Sequence, residues 1–95
     1  MPKGYVIARA VVTNASQWAV YAAEATKAIQ QYGGRPLVRG GQMSVAEGEG
    51  RARKVVIEFE SLDAAKAYAY SPEYAAARKL REGAGHIDIV CVEGA

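Results

Sequence analysis

Residues 3–13, KGYVIARAVVT, form a β-branched and mostly apolar run of strand length, with Arg9 the one charged residue between Tyr5 and Val12. Tyr5, Ile7, Arg9 and Val11 share one face. Val6, Ala8, Ala10 and Val12 share the other, a wholly apolar and small set suited to lying under helices. The period then lengthens. Trp18, Tyr21, Ala22, Ala25, Ile29 and Tyr32 recur at helical spacing. Asn14 stands before them as a cap, with Gln17 completing a capping-box pattern, and Gly33-Gly34 supply the stop. A helix is predicted over 15–32.

A short strand is expected over 35–39, interrupted by Gly40-Gly41 and continued as a strand or bulged strand over 42–47. Residues 48–51 read as a polar turn. Residues 54–60, KVVIEFE, predict a strand with Val55, Ile57 and Phe59 on one face and Val56 and Glu58 on the other. Ser61 caps a second helix, with Asp63 in its first turn. Ser71-Pro72 restarts it as a segment over 73–81. Residues 86–93, HIDIVCVE, predict a last strand. Ile87, Ile89 and Cys91 lie on one of its faces, and His86, Asp88, Val90 and Val92 on the other.

The order β-α-β-β-α-β, without repeat or linker, predicts an α+β, ferredoxin-like domain over 1–95. Its antiparallel sheet is expected in the order 4-1-3-2, with the helices on one face. The opposite face keeps Tyr5, Ile7, Val11, Val56, Val90 and Val92, an apolar patch that needs a cover.

Composition strengthens that point. Half the chain is hydrophobic, yet Leu, Ile, Val and Phe number only nineteen of 95 residues. A chain of this size buries only about 60–65% of its unfolded surface. Burying a second face against another copy adds what the core lacks, so a homodimer is expected. The net charge of +2 is too small for a polybasic arm, and no apolar run reaches a membrane span. The start of the chain has no signal-peptide layout, so a cytoplasmic location is expected. One cysteine and one histidine are too few for a zinc or iron site, and no cofactor is expected. Strand 3 lacks the aromatic pattern of RNA-recognition modules, so no nucleic-acid partner is expected.

YGGRPLVRGG (32–41), VVIEF (55–59), SPEY (71–74) and IDIVCVEG (87–94) resemble the small bacterial family called domain of unknown function 1330. The opening KGYVIARAVVTN resembles it too. The resemblance implies a dimeric α+β barrel, in which two ferredoxin-like sheets pair. That larger group includes cofactor-free monooxygenases, haem-degrading enzymes and lactone isomerases, as well as members with no known activity. It assigns no reaction.

Chemistry is sought first on the face away from the helices, where parity puts Arg9, Glu58, His86 and Asp88. Arg9 is expected to face Glu58 on one side and Asp88 on the other. This set reads either as an ion network fixing the register of a dimer or as part of a cavity that binds a small metabolite. In the enzyme alternative, His86 with Asp88 is the base pair for proton transfer or oxygenation of a small aromatic or carbonyl compound. Arg9 or Arg39 then clamps an anion, and Tyr5 or Tyr68 forms a wall. Arg39 precedes a glycine pair whose backbone N–H groups suit an anion. A helix stop followed by a bulge explains the same glycines. Tyr68, Tyr70 and Tyr74 cluster around the helix break and read first as core residues, a place beside a cavity being the alternative.

Overall fold

The computed structural model describes residues 2–50 and 52–95. Its elements are β1 (Gly4–Val12), α1 (Ala15–Gln31), β2 (Arg35–Arg39), β3 (Arg53–Phe59), α2 (Leu62–Ala69), α3 (Pro72–Lys79) and β4 (Gly85–Glu93). The sheet runs β2-β3-β1-β4, with every neighbour antiparallel. The order, the helix break and the strand faces agree with the sequence pattern.

Each helix begins where a side-chain oxygen meets orphan N–H groups. Asn14, Ser61 and Ser71 accept from the backbone N–H of Gln17, Ala64 and Tyr74. The Gln17 side chain does not close a capping box. It donates to the carbonyls of Leu80 and Glu82, at 3.0 and 2.7 Å, and so ties the start of α1 to the turn after α3. Gly33, at φ +77°, ends α1 in the left-handed region.

Ser71 is buried and works twice. It accepts from Tyr74 N–H at 3.0 Å and donates to the Tyr68 carbonyl at 2.7 Å. Ser71→Ala is expected to cost about 1–2 kcal/mol in urea unfolding, through the lost cap and a buried carbonyl left with one partner fewer.

The expected strand over 42–47 is absent, and residues 41–50 are irregular and exposed. The β2–β3 ladder ends at Arg39↔Val55, and Gly40 turns away at φ +63° after one last bond from its N–H to Lys54 O. Beyond that point β2 has no partner, because Arg53 is the first residue of β3. A register shift between Pro36 and Val38 marks a bulge one turn earlier than the glycine pair suggested.

Val6, Ala10, Ile57, Phe59 and the buried faces of all three helices form one core on a single side of the sheet. α2 packs on β1, β3 and β4, while α1 packs mainly on α3. The shortest dimension is 16 Å, room for one sheet and one helix layer. The other sheet face is bare, with Ile7 40%, Val90 55% and Val92 42% exposed.

Candidate functional site

The charged residues of the open face do not converge. In the β1–β3 register Glu58 lies opposite Tyr5, and Arg9 lies opposite Lys54. Arg9 therefore faces Asp88 on one side, as expected, but not Glu58 on the other. The reason is the start of β3 at Arg53, opposite Ala10, which carries Glu58 four residues down the strand, about 13 Å away. Two separate pairs result. Tyr5 Oη donates to Glu58 Oε2 at 3.0 Å, and this bond holds the phenol above its ordinary pKa. Arg9 Nε meets Asp88 Oδ2 at 3.3 Å with both side chains about half exposed, a contact of small energetic weight. His86 stands exposed at the start of β4 opposite Val11, and Asp88 receives its bond from Arg9.

A cavity lies on the opposite side of the sheet. It occupies about 80 Å3 between α1 and the helix-facing residues of β1, β3 and β4. Ala8 and Ala10 form its floor and Ala22 and Ala25 its roof. Four short side chains face one another there, so the two layers leave space that larger residues would fill. Trp18, Tyr21 and Ile29 supply apolar walls. Tyr21 is buried, and that burial, together with the Tyr74 hydroxyl 2.8 Å away, raises its pKa and keeps it a neutral hydrogen-bonding group.

Arg39 and Arg53 also line this cavity. Arg39 lies opposite Val55 and Arg53 opposite Ala10, so both project to the helix side from adjacent strands. The Arg53 guanidinium lies against Gly40, in space that a Cβ there would occupy. A side chain at position 40 would push this flexible guanidinium aside, so the demand for glycine rests on the positive φ. Among the described residues, neither guanidinium forms an ion pair with a carboxylate. Two cations on an apolar cavity suit an anionic group carried on a short apolar body.

The residues singled out in the sequence thus divide between two faces. Tyr5, Arg9, Glu58, His86 and Asp88 lie on the open face. Arg39 and Tyr68 lie on the helix side and line the cavity. Tyr68 is 3% exposed and stacks on Phe59 with centroids 5.4 Å apart, so it is a core residue as well as a wall. Arg53 was missed, although its parity with Val55, Ile57 and Phe59 puts it on the helix face.

Cys91 is half-buried, and desolvation raises its thiol pKa. Less thiolate is present at a given pH. Alkylation at pH 8 is expected to run more slowly than for a free cysteine, and a rate equal to or above the free thiol would contradict this placement.

No helix among the described residues is long and apolar enough to cross a membrane. No curated protein matches the chain. Solved structures do. A protein of unknown function from Rhodopseudomonas palustris is 16% identical, with a TM-score of 0.78 over 99% of this chain and 83% of that one. A candidate antibiotic biosynthesis monooxygenase from Caulobacter crescentus CB15 is 18% identical, with a TM-score of 0.62 over 99% and 91%. A dimeric protein of unknown function and ferredoxin-like fold from Bacteroides fragilis NCTC 9343 is 20% identical, with a TM-score of 0.55 over 96% and 95%. These likenesses establish an α+β, ferredoxin-like fold. The family model for the domain of unknown function DUF1330 matches residues 3–95, and the chain belongs to that family.

Proposed function

We propose that the protein is a homodimer that binds a short-chain organic acid in the cavity between α1 and the sheet. The observation that carries the ligand reading is that Arg39 and Arg53 both line one small apolar cavity, with no carboxylate among the described residues paired to either. Size narrows the class. An engineered apolar cavity of about 150 Å3 binds benzene. Here about 80 Å3 suits an apolar body smaller than an aromatic ring. The carboxylate would sit on the two guanidiniums, whose forked donors match its geometry.

The dimer reading rests on the bare apolar sheet face and on the single helix layer behind it. The Bacteroides fragilis neighbour, described as dimeric, supports it by likeness of fold. Two sheets packed face to face would bury Ile7, Val56, Val90 and Val92 without touching the cavity, which lies on the other side.

Binding is favoured over the proton-transfer alternative by the lining itself. It holds two arginines and two tyrosines, and neither a carboxylate nor an imidazole. His86 and Asp88 lie across the sheet from it. The Caulobacter neighbour's name keeps oxygenation of a small compound in view as a chemistry for this fold.

Trp18 is the only tryptophan and lines the cavity, so its fluorescence reports occupancy directly. Titration with acetate, propionate, butyrate and benzoate is expected to give a saturable change for the aliphatic acids and none for benzoate. Absence of any saturable response, or tightest binding by benzoate, would contradict the proposed ligand class.

A further inference from the structure

A second recess opens beneath α2 and α3 along the edge strand β4. It is a groove of about 660 Å3, and its lining includes Lys66, Arg78 and Arg81 with no carboxylate. None of the three cations forms an ion pair among the described residues. Arg81 is the most informative. Its guanidinium lies 5.3 Å from the centroid of the Tyr21 ring, and its Nε is buried without a hydrogen-bond partner. Its place over the ring attracts the cation but does not neutralise it. A partly buried charge without a counter-ion is costly, and a polyanion in the groove offsets that cost. Two further cations, Lys66 from α2 and Arg78 from α3, line the same groove, and three positive charges suit a dianion better than a monoanion. The rest of the lining is aromatic and apolar, with Tyr70 80% exposed and Ile87 and Ile89 below it.

We infer that this groove binds a phosphorylated small molecule carrying a planar or apolar body. Its phosphate sits among Lys66, Arg78 and Arg81, and its body lies against Tyr70 and β4. The site is separate from the α1 cavity in its cations, its size and its ligand class.

Phenyl phosphate is the probe, followed by phosphorus NMR, with inorganic phosphate followed in the same way and benzoate and phenol ranked by their displacement of bound phenyl phosphate. Saturable binding is expected in the order phenyl phosphate, then inorganic phosphate, with benzoate about tenfold or more weaker than phenyl phosphate and phenol silent. Arg78→Gln and Lys66→Gln lie on exposed positions of their helices and are expected to fold normally while each weakening phenyl phosphate about tenfold. Arg81→Gln is expected to weaken it more. Cys91 lines the same groove, so bound phenyl phosphate is also expected to slow its alkylation. Arg39→Ala with Arg53→Ala leaves this binding unchanged, which separates failure here from failure of the organic-acid site. Equal binding by wild type, Arg78→Gln and Lys66→Gln, benzoate as tight as phenyl phosphate, or no saturation by phenyl phosphate would each overturn the inference.

Discussion

Ile7→Asp is expected to abolish self-association. Ile7 sits at the middle of β1, between Val56 on β3 and Val90 on β4, at the centre of the bare sheet face. Face-to-face packing would bury the new carboxylate between two largely apolar sheets, and the next cation along β1 on that face, Arg9, already faces Asp88. Burying one such group costs several kcal/mol, and the twofold relation of a dimer introduces it twice. A standard interface cannot absorb that loss. Sedimentation of the wild type is expected to give twice the chain mass, and a melting temperature that rises with protein concentration. The variant is expected to give the chain mass or to lose cooperative folding. A well-folded Ile7→Asp protein with the dimer mass would show that the sheet face is not the interface.

The double substitution Arg39→Ala with Arg53→Ala carries the second large effect. Each guanidinium offers charge-assisted hydrogen bonds to a bound carboxylate, worth about 2 kcal/mol each, or roughly 30-fold in affinity. The two act on the same group, so the losses are not strictly additive. A fall of at least about 100-fold in the Trp18 titration is expected, which removes measurable binding of a weak ligand. Stability is expected to change little, because neither arginine is paired with a carboxylate among the described residues. Arg39→Lys retains the charge but loses the fork, and should fall between the two. Unchanged titration in the double variant would remove the arginines from the site. A collapse of folding would instead mark Arg53, against Gly40, as a structural residue.

Much of the fold was legible because its signals are local. Asn14, Ser61 and Ser71 mark helix starts in the sequence and cap helices in the structure. The alternation in β1, β3 and β4 sorts their residues between the two faces as observed. What depends on partners far along the chain was harder to read. β1 and β3 are not joined by a tight turn, so no loop fixes their register, and the placement of Glu58 beside Arg9 was four residues out. The 42–47 segment has strand-like residues but no neighbour left to pair with.

The candidate site was displaced for a different reason. Charged residues on a strand draw attention to themselves, and Arg9, Glu58, His86 and Asp88 all lie on the open face. The cavity arises from missing volume. Ala8, Ala10, Ala22 and Ala25 look like ordinary close-packing residues until α1 is seen to lean on α3 rather than on the sheet beneath it. The usable signal was the coincidence of small residues on two facing elements with Arg39 and Arg53 on adjacent strands. Parity with Val55 puts Arg53 on the helix side, whereas Arg39 reaches that side only through the bulge between Pro36 and Val38, which simple alternation does not show.

Native mass spectrometry with butyrate tests the central claim most directly, because it reports assembly and occupancy in one spectrum. The wild type is predicted to appear as a dimer carrying up to one butyrate per chain. The Arg39→Ala, Arg53→Ala protein is predicted to appear as a bare dimer. A wild-type monomer, or equal butyrate loading of both proteins, would contradict the account.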